Sequence, residues 1–270
     1  MLLILLALFL LPIAARAALI AFEDRAPSWQ AADWSSIGSL PPATSHPAAR
    51  ILVLSARTGR WKGIFATHSW VVLKRENARS WSRYDVVGWG NPVRINGWAP
   101  DGRWFGDNPV VVADVSGAEA AALIPRIEAA IKSYAFARSG DYRVWPGPNS
   151  NTFVAAVLRA VPELAATLPP TAVGKDFRPG PFIGLTDSGT GVEASLWGLF
   201  GVKAGWVEGL EINLLGLVAG LDLRQPGLKL PAFGHLGLAG ATALAAPTPD
   251  AGPTVIPAER RQAREPGPPK

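Results

Sequence analysis

Residues 145–161, WPGPNSNTFVAAVLRAV, form a tight turn that runs straight into an amphipathic helix. Phe153, Val154, Val157, Leu158 and Val161 recur at helical spacing, and Pro162 ends the pattern. The helix is predicted to begin near Asn151, which sets Ser150 at its N-terminus, where backbone N–H groups lack intrahelical acceptors and negative charge is favoured. A serine in that position suits two roles. It can be an ordinary cap, or a nucleophile whose developing charge the helix start stabilises.

Working outward, four short valine-rich runs lie upstream: residues 50–55 (RILVLS), 65–74 (FATHSWVVLK), 84–89 (YDVVGW) and 109–115 (PVVVADV). Bounded by turn residues, they read as strands. Residues 116–136 read as a first helix, with Ser116-Gly117-Ala118-Glu119 as a capping box and Leu123, Ile124, Ile127, Ile131 and Tyr134 on one face. Downstream the chain is glycine-rich, with strands or hairpins predicted over 194–203, 209–220 and 227–235. The order implies an α+β fold, a small antiparallel sheet packed on helices with an additional Gly-rich β region on the C-terminal side.

Composition narrows the chemistry. Of 270 residues, 49% are hydrophobic and 17% charged, enough apolar content for a real core, while 28 Gly and 25 Pro imply many turns. There is no cysteine, so disulfides, thiolate metal sites and a cysteine nucleophile are excluded. The net charge of +5 is spread along the chain without the interleaved aromatics of a nucleic-acid surface, so no nucleic-acid partner is expected. Residues 1–17 read as a signal peptide cleaved after Ala17 or as a retained N-terminal anchor that would hold the protein at a membrane. Both place the body outside the cytoplasm, periplasmic or membrane-anchored, with peptidoglycan, lipid or envelope proteins as partners. Residues 18–49 form a Pro-rich lead-in pinned by Trp29 and Trp34, residues 50–235 a single globular domain, and residues 246–270 a disordered Pro-rich tail.

Among scarce residue types, the histidines are His46, His68 and His235, too few and too scattered for a metal centre, and no cofactor motif is present. His46 and His235 read as exposed or locally bonded. His68, near the start of a valine-rich strand, is the candidate base. Ser188-Gly189-Thr190-Gly191 reads as a glycine turn, Gly174-Lys175-Asp176 as a surface turn, and the run 214–221 (LLGLVAGL) as a buried strand. Glu208, Glu211 and Asp222 lack a spacing that would pair them as glycosidase carboxylates. Trp81, Trp89, Trp98 and Trp104 pin a long loop to the core or line a cleft.

A histidine on an early strand followed by a helix opening Asn149-Ser150-Asn151-Thr152-Phe153 resembles the circularly permuted papain-like group, which includes NlpC-related envelope peptidases and lecithin-retinol acyltransferase-like enzymes. The resemblance covers about 100 residues and matches His68 to that group's histidine and Ser150 to its cysteine. It implies that Ser150 attacks a carbonyl, that His68 takes and returns the proton, and that backbone N–H groups at the helix start hold the oxyanion. A polar group must orient the imidazole, and Asp85, with Tyr84 and Asn91 as neighbours, is the carboxylate available on the following strand. The serine is the departure from the pattern, since a hydroxyl needs a well-aligned base where a thiol does not. The body, through THSWVVLK, WPGPNSNTF, LPPTAVGKDF, SGTG and EGLEINLLGLVAGLD, also resembles an uncharacterised family of exported bacterial proteins over nearly all of residues 50–235. Two readings stay open, a serine-dependent envelope hydrolase or acyltransferase and a catalytically inactive relative that binds a ligand or partner in the same cleft.

Overall fold

The computed structural model describes residues 2–237. The predicted tail, residues 246–270, lies outside them. An apolar helix, α1 (Leu2–Ile20), precedes the lead-in and rests against the second of two sheets with Phe9 buried. Among the described residues no helix is long and apolar enough to cross a membrane.

The first sheet contains β1 (Arg50–Arg57), β2 (Thr67–Lys74), β3 (Ser82–Val86), β4 (Val93–Ile95) and β5 (Val110–Ser116), in the order β4-β3-β2-β1-β5. All its pairings are antiparallel. β1 and β2 read as unbroken apolar runs because both faces of the sheet are covered. Ile51, Val53, Val71 and Leu73 face α2 (Ala118–Lys132) and α3 (Ser150–Ala160), and join Ile124, Ile127, Phe153 and Val157 in one core. Leu52, Leu54, Trp70 and Val72 face the other way, into a second core closed by Trp104 and by Trp29, Trp34, Trp81 and Trp98. Each fully buried Leu, Ile or Phe contributes about 1.5–3 kcal/mol through the water it excludes. The lead-in is therefore held by its tryptophans. Trp29 and Trp34 lie tilted against each other with ring centroids 3.9 Å apart and meet Trp104 edge to face, and the indole of Trp34 donates to the Trp29 carbonyl.

The predicted capping box at Ser116 does not form. Ser116 is the last residue of β5, paired with Arg50, and the chain turns into α2 through Gly117 at φ +75°, whose N–H donates to the Ala49 carbonyl. A positive φ at this corner suits glycine, and the strand claims the residue that would have capped.

The second sheet is a seven-stranded meander: β6 (Pro181–Leu185), β7 (Gly191–Leu196), β8 (Phe200–Gly205), β9 (Gly209–Leu214), β10 (Leu217–Asp222), β11 (Gly227–Leu230) and β12 (Gly234–Gly237). Its polarity is inverted. In cross-strand register, Glu193, Lys203, Glu211 and Lys229 lie on one face and are buried, whereas the row Leu185, Val192, Ala204, Leu210, Leu221 and Leu228 lies on the other. The run 214–221 is not one buried strand. It breaks at Leu215 and Gly216, both at positive φ, into the β9–β10 hairpin, with Val218 and Ala219 buried and Leu215 and Leu221 nearly half exposed.

Candidate functional site

The start of α3 is held by side chains, not by the helix alone. Asn149, the residue before the first helical one, accepts from the N–H groups of Asn151 at 3.0 Å and Thr152 at 3.2 Å, while Thr152 Oγ1 accepts from the Asn149 N–H at 3.1 Å. This reciprocal pair is a capping box. Asn149 Nδ2 also donates to the carbonyls of Val144 and Val173, and Thr152 Oγ1 donates to the Gly174 carbonyl, so the cap ties the preceding turn to a distant loop. Gly174 has φ +95°, and a Cβ there would stand 2.3 Å from Asn149 Nδ2, which leaves room for glycine alone. Asn151 Nδ2 donates to Val173 O and to Thr67 O, both at 2.9 Å, and the second bond fixes the helix start beside the residue that precedes His68.

Capping therefore belongs to Asn149. Ser150, the first residue of α3 and only 4% exposed, is released from that role, and its hydroxyl makes no hydrogen bond among the described residues. The expectation that several first-turn N–H groups hold an oxyanion needs correcting, because Asn149 already takes those of Asn151 and Thr152. Ser150's own N–H is the first-turn donor without an acceptor among the described residues.

His68 lies in β2, and Nε2 is 2.8 Å from Asp85 Oδ1 in β3. The β2–β3 register pairs Val71 with Tyr84, which places Asp85 opposite Trp70 and on the same face as His68, two residues along. Tyr84 consequently faces the helices, and Asn91 is exposed, so neither joins the pair. Arg83, two residues before Asp85, completes the group. Its Nε donates to Asp85 Oδ2 at 2.8 Å, one Nη to Oδ1 at 2.9 Å and the other to the Ala99 carbonyl at 2.8 Å, with the guanidinium 4.0 Å above the Trp70 ring. The imidazole stacks flat on Trp104, with ring centroids 3.6 Å apart.

All three charged or titratable side chains are buried. Burial favours the neutral imidazole and outweighs the pull of Asp85, so His68 sits below the ordinary histidine range. Burial alone would raise Asp85, but the Arg83 charge and the bonds from His68 and Arg83 hold its carboxyl below the usual carboxylate range. At neutral pH the site thus holds a neutral imidazole against an ionised carboxylate that accepts three hydrogen bonds.

His68 and Ser150 line one cavity of about 970 Å³, whose walls include Trp29, Trp89, Trp104, Phe105, Val86 and Val173. No hydrogen bond joins the two side chains. Among the described residues no three His, Asp or Glu side chains converge as a metal site. Arg83 was legible in principle, since an Arg two positions from a strand carboxylate shares its face. Trp104, far along a loop, left no such signal.

The other sequence candidates have structural partners. Ser188 in the glycine turn donates its N–H and hydroxyl to the Glu208 carboxylate, so the turn does cradle an anion, supplied by the chain itself. Lys175 and Asp176 do not form a surface turn. They are buried in an ion network in which Lys175 reaches Glu211 at 2.6 Å and Lys203 reaches Asp176 at 2.6 Å. Glu211 is thereby committed to Lys175 and Lys229, away from any carboxylate pairing. His235 is locally bonded, to the Gln225 carbonyl, whereas His46 buries Nε2 without a partner. Of the four loop tryptophans, Trp81, Trp98 and Trp104 close the second core, and Trp89 and Trp104 also line the cavity.

Residues 48–177 match the model of a family described as protein of unknown function (DUF3750). The matched segment contains the first sheet, α2, α3, His68, Asp85, Ser150 and the loop to Gly174, and it ends before the meander begins. No curated protein and no solved structure matches the chain.

Proposed function

We propose that this chain is a cell-envelope hydrolase or acyltransferase of permuted papain-like design, attacking an amide or ester with Ser150 as nucleophile and His68 as base. The observation that carries the reading is the buried 2.8 Å bond between His68 and Asp85, opening onto the same cavity as a serine freed from capping at a helix start. With Nε2 committed to Asp85, Nδ1 is the nitrogen left for proton transfer. In the proposed reaction His68 Nδ1 takes the hydroxyl proton as Ser150 Oγ bonds to the carbonyl carbon. Asp85 stabilises the imidazolium, and the Ser150 N–H and the helix start favour the oxyanion. Collapse expels the amine or alcohol, which leaves with the proton held by His68. Water, or an acceptor hydroxyl or amine in the transferase case, then resolves the acyl-serine by the same steps in reverse. The mostly apolar, aromatic walls suit an acyl or otherwise apolar group beside the scissile bond. The apolar start of the chain supports action outside the cytoplasm.

The test is reaction of the purified protein with a fluorophosphonate probe, followed by intact mass. The expected result is one adduct in the wild type and none in Ser150→Ala or His68→Ala. An adduct that persists in Ser150→Ala, or none in any protein, rejects the nucleophile. A second reading, a non-catalytic protein that binds a ligand in the cavity, is favoured by the missing Ser150–His68 hydrogen bond, and it predicts ligand capture that survives Ser150→Ala.

A further inference from the structure

The segment Arg57-Thr58-Gly59-Arg60-Trp61-Lys62, which leads from β1 into the 3₁₀ turn Arg60–Ile64, holds three cations and no acid. Among the described residues none of the three forms an ion pair. Arg57 stands behind the turn and donates only to carbonyls, those of Gly63, Ile64 and Ala232, while burial first and then the Arg16 charge pull its guanidinium down to about 10. Arg60 and Lys62 line the cavity that holds His68 and Ser150. The backbone fixes this placement. A Cβ at Gly59 would stand 2.1 Å from the ring of Phe105, itself a wall of the cavity, so the turn is pressed onto that wall. Arg60 then follows at φ +58°, a conformation glycine adopts more easily than arginine.

The rest of the cavity supplies no counter-charge. Among the described residues no Asp or Glu lines it, whereas the neighbouring cavity beside β5, of about 740 Å³, is lined by four carboxylates and four cations. Asp85, behind His68, is already bonded to Arg83. A low-dielectric cleft lined by one sign of charge concentrates ions of the other. Trp61, Trp89 and Trp145 line the same cavity while remaining partly exposed, which gives it an apolar flank next to the two cations.

We infer that this cavity takes an anionic amphiphile, an apolar chain that lies along the tryptophans and bears a phosphate head held by Arg60 and Lys62. The inference deepens the proposed function by naming the charge of its substrate, and it rests on that reading only for the choice of cavity. An arginine fork grips phosphate oxygens in two bonds, and a lysine adds a compact charge beside it. Two unpaired cations match the charge of a phosphate monoester, which is close to two negative charges at neutral pH. A cationic ligand is repelled by the same pair, and a neutral one gains nothing from it.

The experiment is a titration of the full chain's tryptophan fluorescence with decyl phosphate, decyltrimethylammonium and decanol, each below its micelle concentration. None has a carbonyl for Ser150 to attack, so the outcome stands apart from the fluorophosphonate test. Selective binding without labelling rejects the nucleophile alone, and labelling without selective binding rejects this inference alone. Decyl phosphate is expected to bind at least about ten-fold tighter than decyltrimethylammonium, and Arg60→Gln/Lys62→Gln to remove that margin while leaving decanol affinity unchanged. Equal affinities for the two ions, a margin that survives the double variant, or binding of none of the three overturns the inference. Inorganic phosphate that displaces decyl phosphate at equal concentration assigns the site to the free ion and overturns the chain-bearing ligand. If the double variant does not fold, salt decides. Added sodium chloride is expected to weaken decyl phosphate and not decanol, and a decyl phosphate affinity indifferent to salt overturns the inference.

Discussion

Asp85 serves two donors at once, a neutral imidazole and a guanidinium, and that sharing sets what the residues of the site can do. It accepts from His68 and, twice, from Arg83, so part of its charge is already neutralised before any imidazolium forms. Asp85→Asn removes the orienting charge and also leaves the Arg83 guanidinium buried without a counter-ion. It is expected to slow probe labelling by about 10²–10⁴-fold and to destabilise the fold by about 3–5 kcal/mol, readable as a shifted urea midpoint. Ser150→Ala loses labelling with an unchanged midpoint, because its hydroxyl bonds nothing. The pH dependence has a definite sign. His68 lies below the ordinary histidine value of about 6.5, so its basic form persists into mild acid, and the labelling rate is expected to reach its plateau below that pH. Ser150→Cys gives a direct measure of proximity. In a chain with no other thiol, a thiolate favoured by His68 and the helix start is expected to be alkylated well below the ordinary cysteine range, and His68→Ala is expected to return it to that range.

At the scale of elements, the site depends on where α3 begins. The apolar spacing of Phe153, Val154, Val157 and Leu158 made the helix legible, and the Asn-Ser-Asn-Thr run put its start within one residue of the observed Ser150. Which of Asn149 and Ser150 caps was not legible. Both are good caps in isolation, and the choice is made by carbonyls of Val144 and Val173 that only the folded chain brings within reach of an amide. Asn149→Ala is accordingly expected to cost about 2 kcal/mol, from a lost cap and the Val144 carbonyl left without a donor, since Val173 O keeps the amide of Asn151, and to reduce labelling through misplacement of Ser150. Asn149→Asp keeps the cap oxygen but loses the amide donors, so it is expected to recover only part of the stability. Comparing the two midpoints separates capping from the link to residues 171–174. The first helix shows the opposite case, where local pattern misled. Its Ser116…Glu119 box is a good local signal, overridden because β5 pairs Ser116 with Arg50.

On the scale of the whole molecule, two sheets with different rules are joined. The first buries apolar side chains on both faces and reads as expected from its valine runs. The second hides charge and presents Leu, Ile and Val outward. Asp176, Asp187 and Glu211 are buried, which alone would raise them, but Lys175, Lys203, Lys229, Arg159 and Arg178 outweigh that and hold them below the usual carboxylate range. A carboxylate held low stabilises the fold above the unfolded carboxylate range, near pH 4, and that contribution is lost as pH falls through the folded values. His68 adds in the same direction, since the unfolded chain takes up its proton first as pH drops below about 6.5. The urea midpoint is therefore expected to fall slightly from pH 7 to 5 and steeply from pH 4 to 2. A flat profile in the lower range would contradict the ion network.

By itself the sequence determined the α+β order, the β2 and α3 elements that carry His68 and Ser150, and the absence of thiol chemistry, because these rest on periodicity, turn residues and composition, which are local. Tertiary structure decided the rest. Whether Asp85 faces His68 depends on a strand register in which one residue of slip reverses every side chain. The stack of Trp104 on His68 and the inverted second sheet join residues distant in the chain, and pairing at a distance is set by packing and by the cost of burying unpaired charge.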